Sequence, residues 1–138
     1  VNIDPKLLAA IMSRECATGV LFQPQDWIVN NPVLSPEHEC YFTDLIGNDD
    51  VWGPMQFKES TWKGWASRVK EILNLNGPAN IQNIQHSIFG AAFKLKAAAK
   101  AQDPFNLTRE EVLRAADNYN HYGCPSYCEA VWIYYNNH

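Results

Sequence analysis

Apolar residues recur at helical intervals along most of this chain, and no stretch alternates apolar and polar residues over the length of a strand. That pattern predicts a single all-α domain over residues 1–138. Asp4 is a good helix cap and Pro5 suits the first helical position, so a helix is expected over Lys6 to Glu15. Leu8, Ile11, Met12 and Glu15 then share one face, which puts a carboxylate in line with an apolar stripe. Glu59 or Ser60 begins the next helix, with Trp62, Trp65, Val69, Ile72 and Leu73 at helical spacing and Asn76-Gly77-Pro78 ending it. Asn80 is the expected cap of a third helix carrying Ile81, Ile84, Ile88, Ala91, Ala92 and Leu95. Small residues at 90–92 and 97–99 would let that helix pack closely, and Asp103-Pro104 stops it. Thr108-Arg109-Glu110-Glu111 and Ser126-Tyr127-Cys128-Glu129 both have the form of a capping box ahead of a helix.

Residues 17 to 52 break the helical pattern with Gly19, Pro24, Pro32, Pro36 and Gly47. A short helix is expected there near 38–46. So long an irregular segment is uncommon and is often functional.

The bulk numbers agree with a globular chain. Hydrophobic residues make up 46% and charged residues 19% of 138 positions, enough to bury a core in one domain. A net charge of −4 argues against a nucleic-acid partner, which calls for a basic patch. No segment approaches the ~18 consecutive apolar residues of a membrane span. Val1-Asn2-Ile3-Asp4 has neither the basic start nor the apolar run of a signal peptide, so a mature or excised domain is expected.

Four cysteines, at 16, 40, 124 and 128, permit two disulfides in three connectivities. Cys124 and Cys128 flank a helix start and suit one another, which would leave Cys16 for Cys40. Zinc held by His121, Cys124 and Cys128, or four free thiols, are the other readings.

Chemistry centres on Glu15. A glycosidic bond breaks when its bridging oxygen is protonated, and an acid that keeps its proton near neutral pH needs apolar surroundings. A stripe position beside Met12 suits that role; on position alone, a Glu that caps or salt-bridges a neighbouring loop is the commoner case. Arg14 points about 100° away on a helix.

Three segments then occur in order: Met12-Ser13-Arg14-Glu15, Gly53-Pro54-Met55-Gln56-Phe57 leading into Ser60-Thr61-Trp62, and Ala115-Ala116-Asp117-Asn118-Tyr119-Asn120. Together they resemble the signature of lytic transglycosylases, which pair a helix-terminal catalytic Glu with a Gly-x-Met-Gln-Phe segment and a later Ala-x-x-x-Tyr-Asn segment. The Ala-rich run Ile81 to Ala101 fits between the last two. The likeness covers most of the chain. It departs in the long link of residues 16 to 52 and in His121-Tyr122-Gly123 where the family often closes on Gly, which bears on cleft shape and substrate preference.

The resemblance implies a lysozyme-like all-helical fold that cleaves peptidoglycan glycan strands as a monomer, without metal or cofactor. Glu15 would be general acid and then base. Gln56, Tyr119 and Asn120, with Met55, would bind substrate, although Met ordinarily fills gaps in a core. Trp27 and Trp52 are candidates for stacking on sugar, while Trp62 and Trp65 fit core positions. The implied home is the periplasm or the outside of a cell envelope, of bacterial or phage origin. That oxidising setting makes Cys16–Cys40 and Cys124–Cys128 the expected disulfides. The nearest other readings are a goose-type lysozyme-like muramidase and a non-catalytic peptidoglycan-binding domain of a secretion or conjugation assembly. The muramidase would need Asp49, Asp50, Glu59 or Asp117 to orient a water. A helical interaction module with no sugar role is a further reading.

Overall fold

The computed structural model describes residues 1–16, 23–44, 50–120 and 124–138. Through them run α1 (Pro5–Glu15), α2 (Gln25–Asn30), β1 (Phe42–Thr43), β2 (Val51–Trp52), α3 (Glu59–Ile72), α4 (Ile84–Ala99), α5 (Arg109–Tyr119) and α6 (Ser126–Asn137). The protein is mostly helical, as its periodicity predicts. The addition is one small antiparallel sheet, with Phe42 opposite Trp52 and Thr43 opposite Val51. Strands of two residues are too short to show alternation, so the sequence carries no sign of them. No described helix is long and apolar enough to cross a membrane.

The described chain forms two compact units. The first comprises Val1–Arg14 and Ala91–His138. Here α1 starts as predicted: the Asp4 carboxylate accepts from the Lys6 backbone N–H at 2.9 Å, the geometry of an N-cap with Pro5 at the first helical position. Leu7, Ala10, Ile11 and Met12 are buried along α1, while Leu8 is only half-buried. The other Asp4 oxygen accepts from the Tyr135 hydroxyl at 2.9 Å, and that hydroxyl accepts from the Leu107 backbone N–H at 2.9 Å. Asp4 and Tyr135 are both buried, and Lys6 Nζ lies 4.7 Å from the Tyr135 ring centre. One phenol thus joins the start of α1, the approach to α5 and the last helix. Burial raises the Tyr135 pKa above its ordinary value, opposed by the Leu107 N–H and assisted by Asp4. The capping box of α5 forms as expected, with Thr108 and Glu111 bonded reciprocally. The second expected box does not form. Ser126 is the first residue of α6 rather than its cap, and Glu129 pairs with Arg109 at 2.7 Å instead. With Pro125 at the cap there is no cap N–H for a carboxylate to accept.

The second unit is Glu15–Gly90. Residues 38–44 form turns and β1 rather than the expected helix; the short helix of this segment is α2, directly after Pro24. α3 begins at Glu59 as predicted but stops at Ile72. Asn74 takes a left-handed φ of 51°, its N–H bonds to Glu71 O at 3.2 Å, and Leu75 N–H bonds to Lys70 O at 3.0 Å. These two bonds make a Schellman end, with Asn where Gly is commoner. Ile72 is consequently exposed rather than part of the buried stripe. α4 begins at Ile84 rather than Ile81, because Asn83 caps it by accepting from His86 N–H at 3.0 Å. Asn80 instead closes the preceding turn through Gln82 N–H at 2.9 Å. Gly90 lies under the Trp62 ring: a Cβ there would stand 2.6 Å from Trp62 Cζ3, so the expected close packing at residue 90 is real.

Two outcomes are expected. Tyr135→Phe leaves the Leu107 N–H and one Asp4 oxygen unpaired in a buried place, and should cost about 2–4 kcal/mol in urea unfolding. The Thr108 and Gln102 backbone N–H groups hold the Glu111 carboxyl below its ordinary pKa. Its contribution to stability is therefore present above the unfolded carboxylate range and lost as pH falls through the lowered value. Unfolding midpoints measured against pH should fall less steeply in that acid range for Glu111→Gln than for the parent.

Candidate functional site

The Gly53-Pro54-Met55-Gln56 segment is a four-residue loop clamped at its base. Trp52 and Phe57 exchange both backbone hydrogen bonds, at 2.8 and 3.0 Å, and Gln56 N–H closes the turn on Gly53 O at 3.0 Å. Gly53 has φ 82°, and a Cβ there would collide with the Ile81 carbonyl oxygen. Only glycine meets both demands. Met55 is fully buried and packs in the core, so it offers no surface to a ligand.

Gln56 itself has φ 52° and is buried. Its amide nitrogen donates to Cys40 O and to Gly53 O, each at 2.9 Å, and its amide oxygen accepts from the Thr43 hydroxyl at 2.7 Å. Both amide hydrogens are therefore committed within the protein. This side chain fastens the loop to the strand before it, the turn-stabilising role an amide in such a segment would have.

Cys40 carries the connection further. Cys16 and Cys40 stand at disulfide distance, 24 residues apart in sequence, and both are buried. Glu15, the last residue of α1, is half-buried and directly precedes Cys16. Glu15 and Gln56 are thus linked through one disulfide and one hydrogen bond within a single unit. Cys124 and Cys128 form the second pair at disulfide distance, in the other unit. The expected pairing is the one found. Zinc held by His121 would need a residue outside those described, and the two thiols are joined to each other.

Tyr119, the last residue of α5, is buried, with Lys94 Nζ 4.9 Å from its ring centre. Asn120 follows as the C-cap, its N–H bonded to Ala116 O at 3.0 Å. Both belong to the first unit, whereas Glu15, Met55 and Gln56 belong to the second. Of the other carboxylates weighed, Asp50 is half-buried, Glu59 and Asp117 are exposed, and Asp49 lies outside the described residues. Trp27 is half-buried with its ring 6.1 Å from His38.

Sequence reasoning missed a cleft in the second unit. It has a volume of about 620 Å³ and is walled by Tyr41, Trp52 and Trp62. Glu59, Lys63, Asn80 and Gln82 contribute its polar groups. Trp52 had been singled out for stacking, but Tyr41, Asn80 and Gln82 sit on turns with no periodicity to mark them. No family model, curated protein or solved structure matches the chain.

The Cys16–Cys40 link closes a long loop, which chain entropy values at roughly 3 kcal/mol. Cys16→Ser combined with Cys40→Ser should lower unfolding free energy by about that amount. In the parent, a reductant should reproduce the loss, and peptide mapping without reductant should recover these two pairs with no free thiol.

Proposed function

We propose that this domain is a peptidoglycan lytic transglycosylase, cutting the β-1,4 bond between MurNAc and GlcNAc with Glu15 as its acid and base. The observation that carries this reading is the order of the three segments ending in Glu15, Gln56 and Tyr119-Asn120. Support also comes from the ties around the acid. Glu15 is half-buried at a helix end, its neighbour Cys16 is cross-linked to Cys40, and Cys40 O is held by Gln56. A catalytic acid works only when its backbone is held in register with the bond it protonates.

In this mechanism the Glu15 carboxyl donates its proton to the bridging oxygen as the C1–O bond of MurNAc breaks, releasing GlcNAc with a free hydroxyl. The substrate's own N-acetyl group steadies the positive charge left at C1. The Glu15 carboxylate then removes the proton of the MurNAc C6 hydroxyl, whose oxygen bonds to C1 and closes a 1,6-anhydro ring. The enzyme regains its proton and no water is consumed. An acid of this kind differs from the ordinary glycosidase pair, in which a second carboxylate flanks the bond. Gln56 acts here as a positioning residue, since its amide is occupied within the protein. Tyr119 and Asn120 are the residues the resemblance assigns to sugar binding. Paired cysteines suit the oxidising envelope in which peptidoglycan lies.

Digestion of purified sacculi followed by mass spectrometry tests this. Products ending in 1,6-anhydroMurNAc are expected, and Glu15→Gln should reduce their rate by at least ~100-fold with the fold intact. Reducing ends would mark a muramidase that adds water. Intact sacculi, or full activity in Glu15→Gln, would remove the proposal.

A further inference from the structure

We infer that the cleft walled by Tyr41, Trp52 and Trp62 is a binding site for an N-acetylated pyranose of an oligosaccharide. Its volume of about 620 Å³ falls within the range of small-ligand sites. Tyr41 and Trp52 are both half-buried and meet edge to face, ring centres 6.4 Å apart with planes at 71°. Trp52 is braced from the other side by Phe42 at 4.5 Å. Two rigid aromatic surfaces at an angle match the apolar C–H face of a pyranose and the methyl of its acetyl group. Polar recognition comes from the Asn80 amide. Asn80 Oδ1 is used by Gln82 N–H, which leaves the exposed Asn80 Nδ2 with no partner among the described residues. Gln82, which also lines the cleft, is only 6% exposed, and its Nε2 donates to Tyr41 O at 2.8 Å, which holds the Tyr41 backbone in place. An amide donor beside aromatic walls complements the C=O and the methyl of an acetamido group.

The charges point the same way. Glu59 and Lys63 lie on the rim 3.9 Å apart, so the cleft presents no net charge. A phosphorylated ligand would meet the Glu59 carboxylate, and a neutral sugar meets neither charge unpaired. Glu15 and Gln56 play no part in this site.

The test titrates the N-acetylglucosamine tetramer and its de-N-acetylated counterpart into the intact chain, reading indole N–H signals in ¹H–¹⁵N spectra. The acetylated tetramer should shift the Trp52 and Trp62 indoles and bind at least about fivefold more tightly than the deacetylated one. Trp52→Ala should weaken it about tenfold. The unsubstituted chain already decides the matter should that variant fail to fold. Shifts confined to other tryptophans, or equal affinity for the two oligomers, would overturn the inference. Cleavage of sacculi with silent cleft indoles would overturn it while leaving the transglycosylase reading intact. Indole shifts in a chain inert on sacculi would do the reverse.

Discussion

The second unit depends on one buried amide. Among the described residues, its first half has little regular structure beyond α2 and a sheet of two-residue strands, so few backbone ladders are seen to hold it. Gln56 supplies what is missing, tying Cys40, Thr43 and Gly53 together with a single planar group. An amide does this where a carboxylate or a hydroxyl would not, because it donates twice and accepts at once. The left-handed φ values of Gly53 and Gln56 turn the chain tightly enough for the Trp52–Phe57 clamp to close. Apolar neighbours Met55 and Phe57 bury the loop, which strengthens every hydrogen bond inside it.

The first unit solves a similar problem with a phenol. Tyr135 accepts from Leu107 and donates to Asp4, and Asp4 spends its remaining oxygen on the first turn of α1. Three segments remote in sequence meet at one hydroxyl. Nearby, Glu111 caps its own helix and also takes the Gln102 N–H, so a single carboxylate satisfies two backbone donors. In both units, then, a buried polar side chain with several hydrogen bonds ties together segments of chain that lie apart in sequence.

This bears on how the Gly-Pro-Met-Gln-Phe segment should be understood. Gly53 is required by backbone crowding, Met55 by packing and Gln56 by the loop's hydrogen bonds. The segment's residue types are thus accounted for by the shape it makes. The loop is tied through Cys40 and the disulfide to the residue after Glu15.

By itself the sequence determined where three of the described helices begin. Asp4-Pro5 and the Thr108–Glu111 box act within one turn, and a periodicity of 3.6 shows in any apolar run, so α1, α3 and α5 begin where the residues say. The cysteine pairing was legible too: Cys124 and Cys128 flank a helix start, and the resemblance implies the oxidising setting in which an even number of cysteines pair. Tertiary structure decided the rest. α6 began at Ser126, one residue before its expected box allows, so Pro125 stands at the cap and Glu129 pairs with Arg109, twenty residues back. α4 began at Ile84 rather than Ile81 because backbone partners Pro32 and Leu34 claimed the turn before it. The cleft of Tyr41, Trp52, Trp62 and Gln82 exists only once loops distant in sequence fold together, and no spacing along the chain encodes that meeting.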